Sequence, residues 1–438
     1  MRVLHVGNIA NNGYLAAKKE RENGFESYLV NVNAHHVMMM PEWEELNLEF
    51  KYSQYSTDVL KLIGKEIPSW VLSGSWSAIC ETLFPSKQFA KKINLNSNKN
   101  RNLDNFLRVM IKLFKNWIPK KLRPFIAYNV LYRFRNINDN KHIKRVFASF
   151  DKIIFYGPFC NLSKYVENGR YIAFEHGTLR NFIDTNYKLA KNTKVGFENA
   201  SVILISNQDC LNKAKNIFSN VIIKSPHPIN DSDFPDLRVL REKNLSSRKD
   251  KAFEVVVPAR HTFSISTDIG KGNEMIYSAI KEFFKSDENI IFHLIKWGEN
   301  FPSAIKYLKE IEEAGFVKWH NLMTRPKLKD LIINSDAVID QLLIPAYGGI
   351  SIDTIGLGVP LLTNQVDTID KEYFGSVAPI FSINNTETIV KSLRGLSLMS
   401  LDAKRVYFKE SCEWFDQNLS SEISLAARIK AYKEVEKI

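Results

Sequence analysis

The sequence predicts an α/β protein made of two open, mostly parallel sheets in tandem. Patterns of short buried strands alternate with helical patterns, and the alternation runs in two series separated by a polar stretch. The chain has 438 residues, which is too long for one ordinary hydrophobic core, so two or three domains are expected.

The first series opens with a strand, a helix and a second strand. RVLHVG is typical of a buried strand, YLAAKKERENG of a helix that ends at a glycine, and ESYLVNVN of the next strand. After an irregular stretch at about 50–147, further strands are predicted from DKIIFYG, RYIAFEHG, ASVILIS and NVIIKSPH. We therefore predict an N-terminal Rossmann-like domain at 1–235, with the stretch 50–147 inserted into it.

The second series follows a polar stretch at 236–251, which is typical of a linker. It contains FEVVVPAR, a helix at 273–285, and then NIIFHLIKWG, FVKWHN, DAVIDQLL and VPLLTN. We predict a second Rossmann-like domain at 252–415 and a C-terminal helix at 416–438 that crosses back to the first domain. Two such domains face a cleft, and ligands of open α/β sheets bind beyond the carboxyl ends of the strands.

The composition indicates a globular protein. Hydrophobic residues make up 45% of the chain and charged residues 25%. The four cysteines are scattered without metal-ligand spacing, which is typical of reduced thiols. The opening MRVLHVGNIA has no signal-peptide pattern, and no uncharged run reaches the ~18 residues of a membrane helix. A cytoplasmic location is therefore expected.

The positive charge is concentrated in one segment. Between Lys87 and Arg145 the chain has 16 lysines and arginines against two acidic residues, a net charge of +14 in a chain whose total is +12. At 104–118, apolar side chains fall on one helical face and basic side chains on the other. Such a helix can lie on an anionic membrane. We predict that 87–145 contacts the inner face of the cell membrane.

The same charge has two other interpretations. A helix packed against the core with a solvated basic face would give the same pattern. Nucleic-acid binding would also use basic residues, but no RNA-binding or DNA-binding module is visible, so no nucleic-acid partner is expected.

A loop with two cations and two glycines joins a predicted strand to a helix. Arg260 ends the strand pattern, and Lys271 stands between Gly270 and Gly272 just before the helix. Backbone N–H groups and the helix dipole favour a phosphate at such a helix start, and Arg and Lys add positive charge. The spacing fits neither a Walker A loop nor a dinucleotide fingerprint. The loop predicts a more general anion site; a solvated surface loop is the alternative.

A second glycine-rich loop follows the strand pattern DAVIDQLL. Gly348 and Gly349 would let a ligand approach the backbone closely, and a short helix carrying Asp353 comes next. A carboxylate can accept the two hydroxyl hydrogens of a ribose diol. An acid in the first turn of a helix is also common without any ligand, so the pattern alone leaves both interpretations open.

These two loops resemble the nucleotide-sugar domain of GT-B glycosyltransferases, in particular glycosyltransferase family 4. That family has an Arg at a strand end, Lys-Gly before a helix, a glycine-rich loop, an acid on a short helix, and Gly-x-Pro before the next strand. The matching residues are Arg260, Lys271, Gly272, Gly348, Gly349, Asp353, Gly358 and Pro360, with Trp297 and Gly298 at another strand end. The likeness covers about 252–400. The N-terminal half is similar more weakly, through FEHGTLR, where His176 resembles the cleft histidine of the family.

The resemblance implies a GT-B fold and a glycosyltransferase. The enzyme would move a sugar from a nucleotide-sugar to a glycan or lipid-linked acceptor in surface polysaccharide biosynthesis. Arg260 and Lys271 would stabilise the charge that grows on the departing nucleoside diphosphate, Asp353 would hold the ribose, and His176 would face the donor sugar. The two cations would replace a metal, so neither a metal nor a cofactor is expected.

Two further points rest on the same resemblance. The donor site would also be lined by Gly348, Gly349, Trp297 and Gly298, and the sugar would be transferred with retention at its anomeric carbon. Pro345 stands where the family usually has a glutamate that contacts the donor sugar. The identity of the sugar is therefore not predicted.

Polar residues after the first two strands are candidates for the acceptor side of the cleft. A turn or a structural loop is the alternative for each of them. The candidates are Asn8, Asn11, Asn12, His36 and Glu44. Two other features are given structural roles. Asp231 and Asp233 form the Asp-x-Asp metal pattern of the other glycosyltransferase fold, but neighbouring prolines favour a turn, and His227 is interpreted as a structural histidine.

Two other functional classes remain open. One is a different GT-B enzyme, such as a sugar-nucleotide epimerase, which would act on the nucleotide-sugar alone and leave the basic segment without a purpose. A phosphorylase would need a cofactor-lysine motif that is not visible in the sequence. The other class is a non-catalytic, membrane-associated GT-B scaffold protein, which would have lost nucleotide binding.

Overall fold

A computed structural model describes residues 1–31, 37–50, 68–84, 140–247, 251–263 and 270–437. The strands of the first half are β1 (Arg2–Val6), β2 (Glu26–Asn31), β3 (Glu49–Phe50), β4 (Val71–Ser73), β5 (Lys152–Tyr156), β6 (Ile172–Glu175), β7 (Val202–Ile205) and β8 (Val221–Lys224). All but β3 form a seven-stranded sheet in the order β4-β2-β1-β5-β6-β7-β8. Every pairing in this sheet is parallel.

The second half contains a six-stranded sheet. Its strands, with one short extra strand, are β9 (Phe253–Val257), β10 (Ile290–Ile295), β11 (Val317–His320), β12 (Leu322–Met323), β13 (Ala337–Ile339), β14 (Leu361–Thr363) and β15 (Phe381–Ser382). The order is β11-β10-β9-β13-β14-β15, and all pairings are parallel. The predicted α/β architecture with two parallel sheets is therefore confirmed.

Helices cover both sheets. Those of the first half are Asn12–Glu22, Glu42–Glu45, Trp76–Leu83, Asn140–Phe147, Lys188–Glu198 and Leu211–Ile217. Those of the second half are Phe234–Ser247, Asn273–Ser286, Phe301–Tyr307, Lys309–Glu313, Arg325–Ile333, Gly349–Gly356, Asp367–Phe374, Thr386–Ser397, Leu401–Asn418 and Ser421–Glu436. A longer 3-10 segment, Gly157–Tyr165, follows β5.

The strands form because their sequences are apolar on both faces. All four residues of β7 have side chains with no exposed surface. Near-continuous Val, Ile and Leu runs are typical of parallel strands that are covered by helices on both sides. Each such side chain contributes about 1.5–3 kcal/mol when it is fully buried.

The stretch 236–251, predicted as a linker, lies largely in a helix. Phe234–Ser247 packs against the second half through the buried Arg241. The Arg241 guanidinium donates to the carbonyl oxygens of Ile333 and Ser335, at 3.2 and 2.5 Å. The sequence pattern is typical of a polar coil because charged and polar residues outnumber apolar ones in this helix, and the buried Arg241 meets its carbonyl partners only in the folded structure.

The last helix, Ser421–Glu436, packs against the first sheet. Its Arg428 and Tyr432 donate to the buried carboxylate of Glu20, at 2.8 and 2.6 Å. His5 on β1 contacts the other oxygen of Glu20 at 2.9 Å. Burial alone would raise the pKa of Glu20, but His5, Arg428 and the hydroxyl of Ser27 outweigh it and lower the pKa to about 2. This ionic cluster ties the end of the chain to its beginning.

The two halves contact each other on both sides of the cleft. On one side, β3 pairs antiparallel with β12. On the other side, the helix Asp367–Phe374 contacts the ends of β7 and β8, where the Tyr373 hydroxyl donates to the carbonyl oxygen of Ile205 at 2.5 Å. Gln208 donates to Asp370 at 3.5 Å next to this contact. The backbone N–H of Tyr347, beyond β13, also donates to Gln208, beyond β7, at 3.4 Å, so the carboxyl edges of the two sheets face each other.

Most of the predicted insertion at 50–147 lies outside the described residues. That holds for the basic amphipathic stretch at 104–118, so the predicted membrane contact of 87–145 stays a prediction. Within the part of the chain that the structure describes, no helix has both the length and the apolar character needed to span a membrane.

Candidate active site

The loop after β9 and the loop after β10 place a cation beside an indole. Arg260 follows β9, and its guanidinium lies 5.9 Å from the centre of the Trp297 ring. Trp297 follows β10, and its Nε1 donates to the carbonyl oxygen of Pro258 at 2.8 Å, which fixes the indole. The Arg260 guanidinium therefore lies beside a buried, hydrogen-bonded indole at the carboxyl edge of the second sheet.

Lys271 stands at the start of the helix Asn273–Ser286, on the same edge. Its ammonium donates to Oε1 of Gln341 at 2.9 Å. Burial lowers the pKa of Lys271, and the charges of Arg260 and Arg180 lower it further, while Asp340 opposes them. Cations from both halves therefore act on one small region. Within the described residues, the hydrogen-bond partner of this ammonium is a neutral amide, and a cation in that situation favours an incoming anion.

The glycines of the two loops have different local roles. Gly298 has φ +98, and a Cβ there would lie 2.5 Å from the backbone oxygen of His261, so only glycine fits. At Gly349 a Cβ would lie 3.2 Å from the Arg325 guanidinium. At Gly348 a Cβ would meet no atom within 4 Å. Gly348 also precedes the helix Gly349–Gly356, so its backbone borders open space at a helix N-terminus.

Asp353 is bound by an arginine that the sequence interpretation did not consider. Nε and Nη2 of Arg325 donate to its two carboxylate oxygens at 2.6 and 2.9 Å. Nη1 of Arg325 also contacts Oε2 of Glu44, from the first half, at 3.5 Å. Asp353 is 2% exposed, so its carboxylate belongs to an ionic cluster between the two halves. The predicted ribose contact of Asp353 stays a prediction.

His176 lies directly after β6, on the opposite side of the cleft. Burial lowers its pKa to about 4, and the nearby charge of Arg180 contributes. The imidazole is therefore neutral at pH 7. Its Nε2 is buried without a hydrogen-bond partner in the described structure. Arg180 itself forms two hydrogen bonds to Asp209, at 2.6 and 2.9 Å, which hold its guanidinium toward the cleft region.

The acceptor-side candidates separate into three groups. Nδ2 of Asn8 donates to Asn11 and to the Met39 carbonyl, both at 2.8 Å, so its amide holds a loop. Nδ2 of Asn11 donates to the Met40 carbonyl at 2.8 Å and to Glu44 at 3.2 Å. These contacts hold the loop that follows β2, and the predicted acceptor contacts of Asn8 and Asn11 stay predictions. Asn12 lies beside His227, and its Nδ2 has no partner in the described structure.

Two acceptor-side candidates have other outcomes. His36 lies outside the described residues. Glu44 is buried, and burial raises its pKa while the charge of Arg325 opposes the rise. Its carboxylate accepts from Asn11 and Arg325, so in this state it joins the two halves.

Four polar residues of this region were not identified from the sequence. Arg180 and Asn207 stand a few residues beyond β6 and β7, Arg325 begins a helix, and Gln341 follows β13. Their positions just beyond strand ends, or at a helix start, are the signal that could have found them. His227, interpreted as structural, lies three residues after β8 and between two asparagines.

No metal centre is apparent among the described residues. No group of three or more His, Cys, Asp or Glu side chains in them could hold a metal ion. The Asp-x-Asp pair has other partners: Asp231 accepts from the Ser421 backbone at 2.8 Å, and Asp233 accepts from Lys329 at 2.7 Å. Both therefore connect the residues just before the helix Phe234–Ser247 to the second half of the chain.

Solved structures with the same architecture align along essentially the whole chain. Sucrose-phosphate synthase from Thermosynechococcus elongatus aligns over 100% of both chains with a TM-score of 0.60 and 10% identity. The Anabaena protein HepE, in complex with UDP and glucose, aligns over 99% of both chains with a TM-score of 0.58 and 10% identity. The chain has the GT-B fold.

One further likeness involves a different enzyme class with this fold. UDP-GlcNAc 2-epimerase from Neisseria meningitidis, bound to UDP-GlcNAc, aligns over 100% of both chains with a TM-score of 0.50 and 13% identity. No model of a protein family matches the sequence, and no curated protein matches it. At such low identities the GT-B likeness establishes the fold alone, and function depends on the residues of the cleft.

Proposed function

We propose that the protein is a glycosyltransferase that uses a nucleotide-sugar donor. The observation that carries this proposal is the convergence of Arg260 and Lys271, at the carboxyl edge of the second sheet, with Arg180 from the first half. The neutral His176 lies near Arg180 in the first half. Ligands of open α/β sheets bind at this edge, and a diphosphate can contact both the cations and the N-terminus of a helix there. A nucleoside diphosphate is an anion of this kind. The HepE structure, with UDP and glucose bound to the same fold, supports this choice.

The chemistry follows from where charge develops. When the bond between the sugar and the diphosphate breaks, negative charge grows on the departing phosphate oxygens. Arg260 and Lys271 stabilise that charge at no cost of reorganisation, because Trp297 and Gln341 already hold them in place. The cations act in place of a metal in this proposal. His176, being neutral, can contact the hydroxyl groups of the donor sugar without repelling the neighbouring cations.

The nucleoside lies on the side of Asp353. Each oxygen of Asp353 accepts one hydrogen bond from Arg325 and keeps a second acceptor position. A ribose diol can use those positions when the helix Gly349–Gly356 faces the nucleotide. Gly348, with open space at its α-carbon, lets the diphosphate approach the backbone at the start of that helix.

The acceptor is a glycan or a lipid-linked glycan in this proposal. The basic segment 87–145 would hold the enzyme on an anionic membrane surface, where a lipid-linked acceptor is found. This places the reaction in surface polysaccharide biosynthesis, on the cytoplasmic face of the membrane. Retention at the anomeric carbon rests on the resemblance to family 4 glycosyltransferases.

Turnover of nucleotide-sugars tests the proposal. The full chain is incubated with UDP-glucose, UDP-GlcNAc, GDP-mannose or ADP-glucose and a lipid extract containing glycan carriers, and release of the nucleoside diphosphate is measured. We expect release from one donor that increases with the extract and is lost in Arg260→Ala. The variant Lys285→Ala, which removes an exposed lysine on the same half, should retain full release. Release from none of the donors would contradict the proposal.

A sugar-nucleotide epimerase is the second candidate. The likeness to an epimerase bound to UDP-GlcNAc favours it. An epimerase needs no acceptor, so it would convert the donor alone into its epimer without lasting release of nucleotide. Analysis of the recovered nucleotide-sugar by NMR in the same experiment separates the two reactions. A non-catalytic scaffold protein would give neither product.

A further inference from the structure

Four polar side chains meet at the carboxyl edge of the first sheet, and we call them the His227 box. Asn12 begins the helix after β1, His176 directly follows β6, Asn207 lies two residues beyond β7, and His227 lies three residues beyond β8. Each of the four residues of the box therefore comes from the end of a different strand or from the loop that follows it. This is the edge at which open α/β sheets bind ligands.

The centre of the box is His227, held between two amides. Its Nδ1 lies 3.3 Å from Oδ1 of Asn12, and its Nε2 lies 3.3 Å from Oδ1 of Asn207. Asn12 is 3% exposed and Asn207 is 5% exposed. Three buried polar atoms of the box have no hydrogen-bond partner within the described structure: Nδ2 of Asn12, Nδ2 of Asn207 and Nε2 of His176.

Buried polar atoms without partners at this density indicate a site where a polar ligand can bind. Buried polar groups in folded proteins are almost always hydrogen-bonded, and each one left without a partner is costly. Three such atoms on neighbouring side chains are hard to explain as packing.

The protonation of His227 determines what the box offers to a ligand. Burial lowers the pKa of His227 to about 3, and the surrounding cations contribute, so the ring carries a single N–H at pH 7. A ring with one N–H and one bare nitrogen cannot donate to two amide oxygens. One asparagine must therefore turn its NH2 group toward His227. Amide orientations of this kind are assigned from the hydrogen-bond network.

This arrangement gives the ligand one donor and one acceptor. The asparagine that points its oxygen at His227 presents its NH2 to the ligand, and the other asparagine presents its carbonyl oxygen. A hydroxyl group can both accept from the first and donate to the second. A phosphate or an ionised carboxylate can only accept, so it would leave the carbonyl unpaired and repel it.

We propose that the His227 box binds hydroxyl groups of a sugar ring, with Asn12 and Asn207 as its contacts and His227 as the residue that orients them. The proposal rests on the proposed function and deepens it. It assigns the sugar subsite to the first half of the chain, separate from the cations that hold the diphosphate. The same chemistry suits the sugar of the donor or the sugar of the acceptor.

The test compares ligands with and without a sugar. Calorimetry of the full chain measures the affinity for UDP, GDP and ADP and for UDP-glucose, GDP-mannose and ADP-glucose. Saturation-transfer NMR, with nucleoside diphosphate present, measures binding of methyl glucoside and methyl mannoside. The variants are Asn12→Ala, Asn207→Ala and the double variant, and Asn384→Ala removes an exposed asparagine of the second half, outside the His227 box, as the matched control. Thermal unfolding checks that each variant is folded. If the double variant is unfolded, the comparison is made with either single variant.

Two results would support the proposal and identify the source of the sugar. If the box holds the donor sugar, the double variant loses about tenfold or more in affinity for the nucleotide-sugar and keeps its affinity for the nucleoside diphosphate. If it holds the acceptor sugar, nucleotide-sugar affinity is unchanged and the glycoside signal disappears. The Asn384→Ala control should match the wild type in both measurements.

Two other results would overturn it. An equal loss of affinity for nucleotide-sugar and nucleoside diphosphate would mean that the box holds phosphate. No dependence of either measurement on Asn12 and Asn207 would mean that it holds no sugar. If the wild type binds no nucleotide, the proposed function is wrong. The glycoside measurement then still tests whether the His227 box binds a sugar.

Discussion

Arg325 donates to both carboxylate oxygens of Asp353, and the same guanidinium contacts Glu44 from the other half of the chain. One buried cation thus lies between two carboxylates from opposite sides of the cleft. The cluster is adjacent to Gly349, whose carbonyl oxygen also accepts from Arg325 at 3.1 Å. Arg325 therefore contributes both to the geometry of the glycine-rich loop and to the contact between the two halves.

Replacing Arg325 by Met should destabilise the protein strongly at neutral pH. The change leaves Asp353 and Glu44 buried near each other without a cation, and removal of one partner from such a cluster costs about 3–5 kcal/mol. Urea unfolding measures the loss. Arg394→Met, which breaks a more exposed pair with Glu288, is the control and should leave the free energy of unfolding close to the wild-type value.

The effect of Arg325→Met should also depend on pH. Burial already raises the pKa of Glu44 above its ordinary value, and the nearby charge of Asp353 raises it further. A carboxyl whose pKa is raised by folding stabilises the folded state at low pH and loses that contribution as the pH increases through the folded value. The variant should thus be less impaired at pH 5 than at pH 8. An equal loss at both values would contradict the ionic explanation.

Asp353→Asn tests the ribose contact. Asn keeps the size of the side chain but loses the negative charge and one acceptor oxygen. If Asp353 holds the ribose diol, the wild type should prefer UDP over 2′-deoxy-UDP, or the corresponding pair for another base, by about tenfold. Asp353→Asn should lose that preference, while the control Asp231→Asn, just before the helix Phe234–Ser247, should keep it. Calorimetric affinities for the two nucleotides decide the matter, and an unchanged preference would exclude the ribose role.

Glu20→Gln should destabilise the packing of the last helix on the first sheet. Arg428 and Glu20 are both fully buried, so the change leaves an arginine without its counter-charge, at a cost of about 3–5 kcal/mol. The pKa of Glu20 is lowered to about 2. A lowered carboxyl pKa contributes stability above its unfolded value that is lost as the pH falls toward the folded value.

The wild type should accordingly lose stability between about pH 5 and pH 2 more steeply than Glu20→Gln. Denaturant unfolding at several pH values measures both slopes. Glu26→Gln, which removes an exposed partner of Arg2, should behave as the wild type. Parallel slopes for the wild type and Glu20→Gln would show that the buried carboxylate does not control acid stability.

Two glycine substitutions should separate folding from binding. Gly298→Ala places a methyl group against the backbone of His261 at a positive φ, so it should destabilise the protein by more than 1 kcal/mol. Gly348→Ala meets open space at an ordinary φ and should leave the melting temperature within about a degree. It should still weaken nucleotide binding, because the methyl group occupies the approach to the helix start. A melting shift at Gly348→Ala would argue against that interpretation.

Much of the fold could be predicted from the sequence, because most of the parallel strands contain a run of consecutive apolar residues, as in KIIFY, VILI and FEVVV. Arg260 and Lys271 were also recognisable, since a cation at a strand end and another before a helix are local patterns. The residues that bind these site residues could not be recognised from the sequence. Arg325 reaches Asp353 only after β12 and the glycine-rich loop are brought together, and nothing within a few residues of either one indicates the contact. The contacts of His227 were not recognisable either, because Asn12 and Asn207 lie 215 and 20 residues away from it in sequence.

Calorimetric titration of UDP, GDP and ADP into the wild type and into Arg260→Ala/Lys271→Ala tests the central claim most directly. The matched control is Lys285→Ala/Lys391→Ala, which removes two exposed charges from the same half. We predict that one nucleotide binds the wild type and the control equally, and that its binding to the Arg260→Ala/Lys271→Ala variant is lost. Folded wild-type protein that binds none of the three nucleotides, or a double variant that binds as well as the wild type, would contradict a diphosphate site at these two cations.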